Sequence, residues 1–336
     1  MLDIEDPRAL LQYLRGTGRI GPDESLAIRV LSGGVSNRTV RVERPCGEAW
    51  VLKQALPKLR VSVDWFSSPE RIHREAEGLR WLGWLAPAGA IPRFIFEDFD
   101  EHLLAMEAVP EPHDNWKTLL LAGHLDMRYV EQFGRLLGTI HRRAWEERAR
   151  TRTAFEDRSF FESLRIEPYY AYTAQQTPGA AHFLTELIAE TRAHRDTLVH
   201  GDYSPKNILV REGKLVLLDH EVIHFGDPAF DLGFSLTHLL SKAHHMRALR
   251  TDFAEAATCY WNTYRAACGT TDWSSELEAR AVRHTLACLL ARVQGRSPLE
   301  YLDAEERARQ HDVVLALMAD PPETVPALAG TFIQRL

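Results

Sequence analysis

No apolar stretch of this 336-residue chain approaches the ~20 residues that a membrane-spanning helix needs. The opening Met1-Leu2-Asp3-Ile4-Glu5-Asp6 is acidic and lacks an apolar core, so no secretion signal is expected and a cytoplasmic protein is. Basic residues are not in excess. The 40 Lys and Arg face 47 Asp and Glu, a net charge of −7, which argues against a nucleic-acid-binding surface. That mild acidity admits cationic substrates without establishing them. The four cysteines, Cys46, Cys259, Cys268 and Cys288, form no CxxC pair and read as reduced, mostly structural thiols. The 15 histidines show no cluster at metal-ligand spacing, which speaks against metal-dependent hydrolysis. Internal repeats and low-complexity tracts are absent too. What remains, 45% hydrophobic and 26% charged, is the composition of an ordinary globular protein, long enough for one large or two modest domains.

Against that background one region stands out. Leu198-Val199-His200-Gly201-Asp202-Tyr203-Ser204-Pro205-Lys206-Asn207 is followed by Leu217-Leu218-Asp219-His220-Glu221. Pro205 between Asp202 and Asn207 makes the first stretch a loop rather than a helix. Ile208-Leu209-Val210 and Leu215-Val216-Leu217-Leu218 read as two strands around an Arg211-Glu212-Gly213-Lys214 turn. Such a hairpin brings Asn207 and Asp219 together across its mouth. One loop carboxylate can then orient a hydroxyl nucleophile, while the Asn oxygen and the second carboxylate hold Mg²⁺ on nucleotide phosphates.

A loop Asp followed five residues later by a metal-binding Asn is also the protein-kinase order. Here, however, Gly201 replaces the kinase Arg, and the later motif is Asp-His-Glu instead of Asp-Phe-Gly. With Gly226-Asp227-Pro228-Ala229-Phe230-Asp231-Leu232-Gly233 in register downstream, the set resembles the aminoglycoside phosphotransferase and choline kinase superfamily. The resemblance implies an α+β, bilobal protein-kinase-like fold, with a small β-rich N-lobe (residues 1–108) and a large, mostly helical C-lobe (residues 109–336). It also implies ATP and Mg²⁺ as cofactors. Asp202 would be catalytic, Asn207, Asp219 and Glu221 would be metal ligands, and Asp231 would support the catalytic loop through backbone hydrogen bonds. For Glu221 a solvent-facing charge is the competing reading.

The rest of the chain is consistent with that plan. Residues 7–15 read as a short amphipathic helix, and residues 26–31, 39–42 and 49–53 as strands. Ser68 at an N-cap with Pro69 next predicts a helix running to Leu85, with Ile72, Ala76, Leu79 and Leu82 on one face. Strands at 93–97 and 102–107 and a proline-bearing hinge at 109–112 complete the small lobe. Helical periodicity then covers 129–146, 180–193, 229–244, 249–267, 274–293 and 303–318. Within the resemblance, Ser32, Gly33, Gly34, Ser36 and Asn37 form a phosphate-covering loop and Lys53 meets the nucleotide phosphates. The helix partner of Lys53 is Glu75, with Glu77 as second choice. Met106, Glu107 and Ala108 present backbone groups to the adenine.

The acceptor is less legible. Residues 51–57 and 64–71, with the Asp-x-Glu motif, resemble methylthioribose kinases, as do the fainter Phe161–Tyr169 and Ala291–Gly295 stretches. That family lacks an Asn at the position of Asn207 and has longer chains. The likeness implies that Trp65 closes over a sugar or thiosugar, and Tyr169 and Arg292 are the candidate acceptor contacts. Tyr170, Tyr260, Trp261 and Tyr264 fit a core role better than a binding one. The expected partner is a small-molecule hydroxyl acceptor, with neither nucleic acid nor membrane. Aminoglycoside, choline or amino-alcohol phosphorylation, and a non-catalytic pseudokinase binding module, stay open as alternatives.

Overall fold

The computed structural model describes residues 2–31, 36–60 and 66–336. The candidate loop residues Ser32, Gly33 and Gly34, and Trp65, lie outside them. The N-terminal lobe is built on a five-stranded antiparallel sheet in the order β1 (Ala27–Val30), β2 (Asn37–Glu43), β3 (Ala49–Ala55), β5 (Leu103–Glu107), β4 (Phe94–Asp98). Period-two alternation of side chains gives this sheet two faces. Val40, Val42, Trp50, Leu52 and Phe96 pack with Leu10 and Leu14 of α1 (Pro7–Gly16), whose start is capped by the Asp6 side chain. Ala55, Leu104 and Met106 pack on the other face with Ile72, Ala76 and Leu79 of α2 (Arg71–Leu85).

α2 starts two residues later than its sequence suggests. Ser68 Oγ accepts the Glu70 N–H instead of capping a helix begun at Pro69. Arg71, Ile72 and His73 donate to carbonyls three residues back, so Pro69 and Glu70 form a tighter turn ahead of the helix. The sequence-read apolar face of α2 is buried as expected.

The larger lobe begins with β6 (Asp114–Asn115), α3 (Trp116–Leu121), α4 (Met127–Glu146) and α5 (Arg148–Phe155). A short α6 (Ser159–Phe161) runs into a π-helical stretch, Glu162–Ala171, that contains Pro168, and then into α7 (Tyr172–Gln176) and α8 (Ala181–Ala193). β7 (Thr197–Val199) pairs with β10 (His224–Gly226), and the expected hairpin is β8 (Ile208–Arg211) with β9 (Lys214–Leu217), flanked by β6. The remainder is α9 (Pro228–His245), α10 (Arg250–Cys268), α11 (Leu277–Gln294), α12 (Ala304–Ala319) and α13 (Val325–Arg335). The six helices read from periodicity are all present, with ends shifted by a few residues. Tyr170, Tyr260, Trp261 and Tyr264 are core, as expected. No described helix is long and apolar enough to cross a membrane.

Two features of this lobe set its stability. α4 crosses α10 so closely at Gly134 that an added Cβ would lie 2.6 Å from the Tyr260 carbonyl oxygen. Gly134→Ala should therefore cost about 1–3 kcal/mol through overpacking. By contrast Gly83→Ala, in open space on α2, should stabilise by up to about 1 kcal/mol. Urea unfolding of both variants checks this pair. The second feature is His224, buried and stacked on Phe161 at 4.0 Å. Burial pushes its imidazole from the ordinary 6.5 down to about 4, so the unfolded chain binds the proton first. The stability this group contributes is complete above pH 6.5 and is lost progressively toward pH 4, by up to roughly 3 kcal/mol. Unfolding free energy measured from pH 7 to pH 4 should fall, and His224→Gln should flatten that fall.

Candidate active site

The loop that follows β7 is shaped by a carboxylate beneath it. Asp231, fully buried on α9, accepts the His200 N–H at 2.7 Å and the Gly201 N–H at 2.8 Å, and lies 3.2 Å from His141 Nε2. Burial opposes its charge, yet His141 and the loop N–H groups hold its carboxyl below the usual range. The supporting role expected for Asp231 is thus observed. Gly201 adopts φ 77°, and an added Cβ would sit 2.9 Å from both the Val222 carbonyl and its Cγ1. No larger residue fits there without displacing Val222.

The Asp202 N–H donates to His200 Nδ1 at 3.2 Å, which leaves the ring proton on Nε2, 3.1 Å from His220 Nδ1. Burial keeps both imidazoles neutral. Two groups aim the Asp202 side chain. Arg165 Nη2 lies 2.8 Å from Oδ1, and Asn207 Nδ2 donates to Oδ2 at 2.7 Å and to the Asp202 carbonyl at 2.9 Å. Since both Asn207 partners are acceptors, its amide orientation is fixed and Oδ1 is turned away from Asp202. The hairpin mouth closes as expected, with Leu218 N–H donating to the Asn207 carbonyl at 2.9 Å.

Asp219 leaves β9 at φ 62°, a conformation uncommon outside glycine. Its carboxylate pairs with Lys53 of β3, and Lys53 Nζ also donates to Glu75 Oε1 of α2 at 2.7 Å. Glu75 is fully buried, whereas Glu77 faces outward and accepts from Trp81 Nε1 at 2.7 Å. The ammonium is thus shared. Burial raises the Glu75 carboxyl above its ordinary value against the pull of Lys53. Burial also acts on Asp219, but there the ammonium prevails and keeps the carboxyl below its ordinary value.

Two arginines are the residues sequence reasoning missed. Arg71, wholly buried, donates Nε to Glu221 Oε2 at 3.2 Å and binds the carbonyls of Ser36, Leu56, Ser67 and Ser68. It knits the segment just before β2, the end of β3 and the Asp-x-Glu segment to α2. Asn37 Nδ2 reaches the same Glu221 oxygen at 3.4 Å, so Glu221 is neither solvent-facing nor free of other partners. Arg165 lies in the Phe161–Tyr169 stretch of the sequence likeness, and that position was its one signal. Its Nε donates to the Gly201 carbonyl at 2.7 Å, and Asp202 sustains its charge against burial.

At the hinge, the Glu107 N–H donates to the Arg93 carbonyl and the Ala108 N–H to the Ala49 carbonyl. Those two donors are spent on the fold. Among the described residues the next one, Val109 N–H, has no partner and is the free backbone donor of this segment. Met106 contributes an apolar wall.

One cleft of about 1230 Å³ is lined by Asn37, Lys53, Met106, Asp202, Asn207, Asp219 and Glu221. Tyr169 and Arg292 line it as well, with the Arg292 guanidinium 4.9 Å from the Tyr169 ring. Arg292 Nη1 donates to the Ser297 carbonyl at 2.9 Å, while its buried Nε has no partner among the described residues.

Similarity to known proteins follows the same outline. Two curated methylthioribose kinases are related at low identity. That of Yersinia pseudotuberculosis serotype O:3 is 23% identical over 257 residues, 68% of this chain and 63% of the relative. That of Pectobacterium carotovorum is 24% identical over 257 residues, 68% of this chain and 64% of the relative. The match therefore spans less than two thirds of those relatives. Among solved structures, amicoumacin kinase hAmiN superposes with a TM-score of 0.59 at 14% identity, over 93% of this chain and 94% of that one. Macrolide 2'-phosphotransferase MphH from Brachybacterium faecium gives 0.55 at 20% identity, over 94% and 99%. Choline kinase LicA from Streptococcus pneumoniae gives 0.55 at 13% identity, over 94% and 99%. These structures share the bilobal, kinase-like α+β fold. The profile of the phosphotransferase enzyme family matches residues 27–270, and with that extent of match the chain belongs to this family.

Proposed function

We propose that the protein transfers the γ-phosphoryl group of ATP to a hydroxyl of a small molecule. The observation that carries this reading is the aim of Asp202, held by Arg165 and Asn207 in the cleft that also contains Lys53 and Asp219. In that position Asp202 orients the acceptor hydroxyl and takes its proton as the phosphoryl group moves. Arg165 pairs with the Asp202 carboxylate and fixes its rotamer. Lys53, aligned by Glu75, neutralises nucleotide phosphate. Asn207 Oδ1, the Asp219 carboxylate and Glu221 form an all-oxygen donor set that suits Mg²⁺. When bound, Mg²⁺ supplies charge neutralisation on the phosphates. Glu221, engaged by Arg71 and Asn37, ranks below Asp219 in that set. The lobes divide near residue 108, where β5 ends.

For the acceptor we favour a small polyhydroxylated compound such as a sugar or thiosugar, in line with the methylthioribose kinase relatives. The charges in the cleft support that choice over its rivals. Lys206 and Arg292 line it with no ion-pair partner among the described residues, while Asp202 and Asp219 are already paired with Arg165 and Lys53, and Lys117 with Glu300. Aminoglycosides and choline would meet like charge there. A pseudokinase role is disfavoured because Lys53, Glu75, Asp202, Asn207 and Asp219 are all present around one cleft. A cytoplasmic location is part of this reading.

Asp202→Asn should lower turnover by at least about 100-fold and leave Mg²⁺-nucleotide affinity nearly intact. Asp219→Ala should abolish that affinity, and Glu221→Gln should only weaken it. Calorimetric titration with a non-hydrolysable ATP analogue separates these cases, and loss of nucleotide binding in folded Asp202→Asn contradicts the assignment. In a panel of pentoses, thiosugars, choline and kanamycin assayed for ADP release, a sugar should be phosphorylated and kanamycin should not.

A further inference from the structure

Away from the cleft, α2 begins beside the β4–β5 turn, and two histidines meet there. His73 Nε2 and His102 Nδ1 face each other at 3.3 Å. The Glu70 carboxylate reaches over both, with Oε1 3.8 Å from His102 Nδ1 and Oε2 4.0 Å from His73 Nε2. On its far side the His73 ring places Nδ1 3.1 Å from Glu97 Oε2. A carboxylate only accepts at neutral pH, so the His73 proton resides on Nδ1 and the Nε2 lone pair points into the cluster. Phe99 stacks on the same ring at 4.2 Å and 12°, which fixes its plane. His102 is held at φ 46°, a rare conformation for a residue with a side chain.

We propose that Glu70, His73 and His102 form a binding site for a zinc-type divalent cation. Zinc takes imidazole nitrogen at about 2.0–2.1 Å and carboxylate oxygen at about 2.0–2.2 Å, usually tetrahedrally. Tetrahedral donors at those lengths sit roughly 3.3–3.6 Å from one another. The observed separations of 3.3, 3.8 and 4.0 Å reach that range with a small shift of Glu70, the most exposed member. Glu97 behind His73 is the outer carboxylate that metal-bound imidazoles commonly have. An all-oxygen cation such as Mg²⁺ is a poor match for two imidazoles. Spacing along the sequence gives no sign of this group, since His73 and His102 come from different elements.

The site sits where an ion would matter. Glu75 lies two residues past His73 on α2, and the His102 carbonyl accepts the Ala55 N–H at 3.1 Å, two residues past Lys53 on β3. A bound cation clamps the start of α2 to the β4–β5 turn and so braces the Lys53–Glu75 pair. It acts by positioning, and its occupancy does not depend on which acceptor the cleft takes.

The test uses the full chain, stripped with a chelator and titrated calorimetrically with zinc chloride. One equivalent should bind and raise the unfolding temperature. Binding should vanish in His73→Ala and His102→Ala, weaken in Glu70→Gln, and weaken about 10- to 100-fold in Glu97→Gln. Cobalt(II) should give the intense visible absorption of a tetrahedral centre in the wild type and lose it in His102→Ala. If the histidine variants do not fold, Glu70→Gln, at an exposed position, carries the comparison. Failure of the wild type to take up one equivalent overturns the proposal. So does uptake that survives in folded His102→Ala, or that disappears in Cys46→Ser, whose exposed thiol is the obvious adventitious ligand.

Discussion

Lys53 brings one ammonium group against carboxylates from two other parts of the chain, and the geometry of the cleft follows from that sharing. Glu75 arrives on α2 and Asp219 on the segment after β9, so a single side chain ties the small sheet, its helix and the large lobe together. Burying such charges is costly unless every partner is present, and removing one strands the others. The arrangement therefore specifies a relative placement of lobes more than it adds stability. Asp231 plays the matching part below the loop that carries Asp202, where two N–H groups converge on one buried carboxylate.

Much of this was legible because local rules and tertiary demands agree. The β8–β9 hairpin announces itself by apolar runs around a Gly-containing turn, and its register brings Asn207 to the segment that carries Asp219. Only one of Glu75 and Glu77 can face Lys53, because residues two apart on a helix diverge by about 200°, and it is Glu75. Other parts had no local signature. Arg71 and Arg165 look like surface cations in a linear sequence, and only long-range packing makes each a buried hub. The π-helical stretch contains Pro168, which reads as a helix breaker. α3 and α5 are short, and α13 lies past the last strongly periodic segment.

Charge shows the same contrast between chain and site. A net −7 describes the whole chain, yet Arg165, Lys206 and Arg292 line the cleft beside its carboxylates. Asp202 is matched by Arg165 and Glu221 by Arg71, while Asp219 and Glu75 share Lys53, and Lys206 and Arg292 are the cleft cations with no ion-pair partner among the described residues. Global acidity is thus no guide to which ligands the cleft tolerates.

His220 stands between Asp219 and Glu221, and it faces backward. Where its neighbours turn toward the cleft, its ring meets His200 behind the Asp202 loop, and an added Cβ on Gly78 of α2 would lie 2.8 Å from its own Cβ. The helix, the Asp-x-Glu segment and the Asp202 loop are therefore stacked against one another like plates on a common spindle. The position of α2 is thus coupled to the Asp202 N–H from the rear, through His220 and His200, as well as to Lys53 and Glu221 through Glu75 and Arg71.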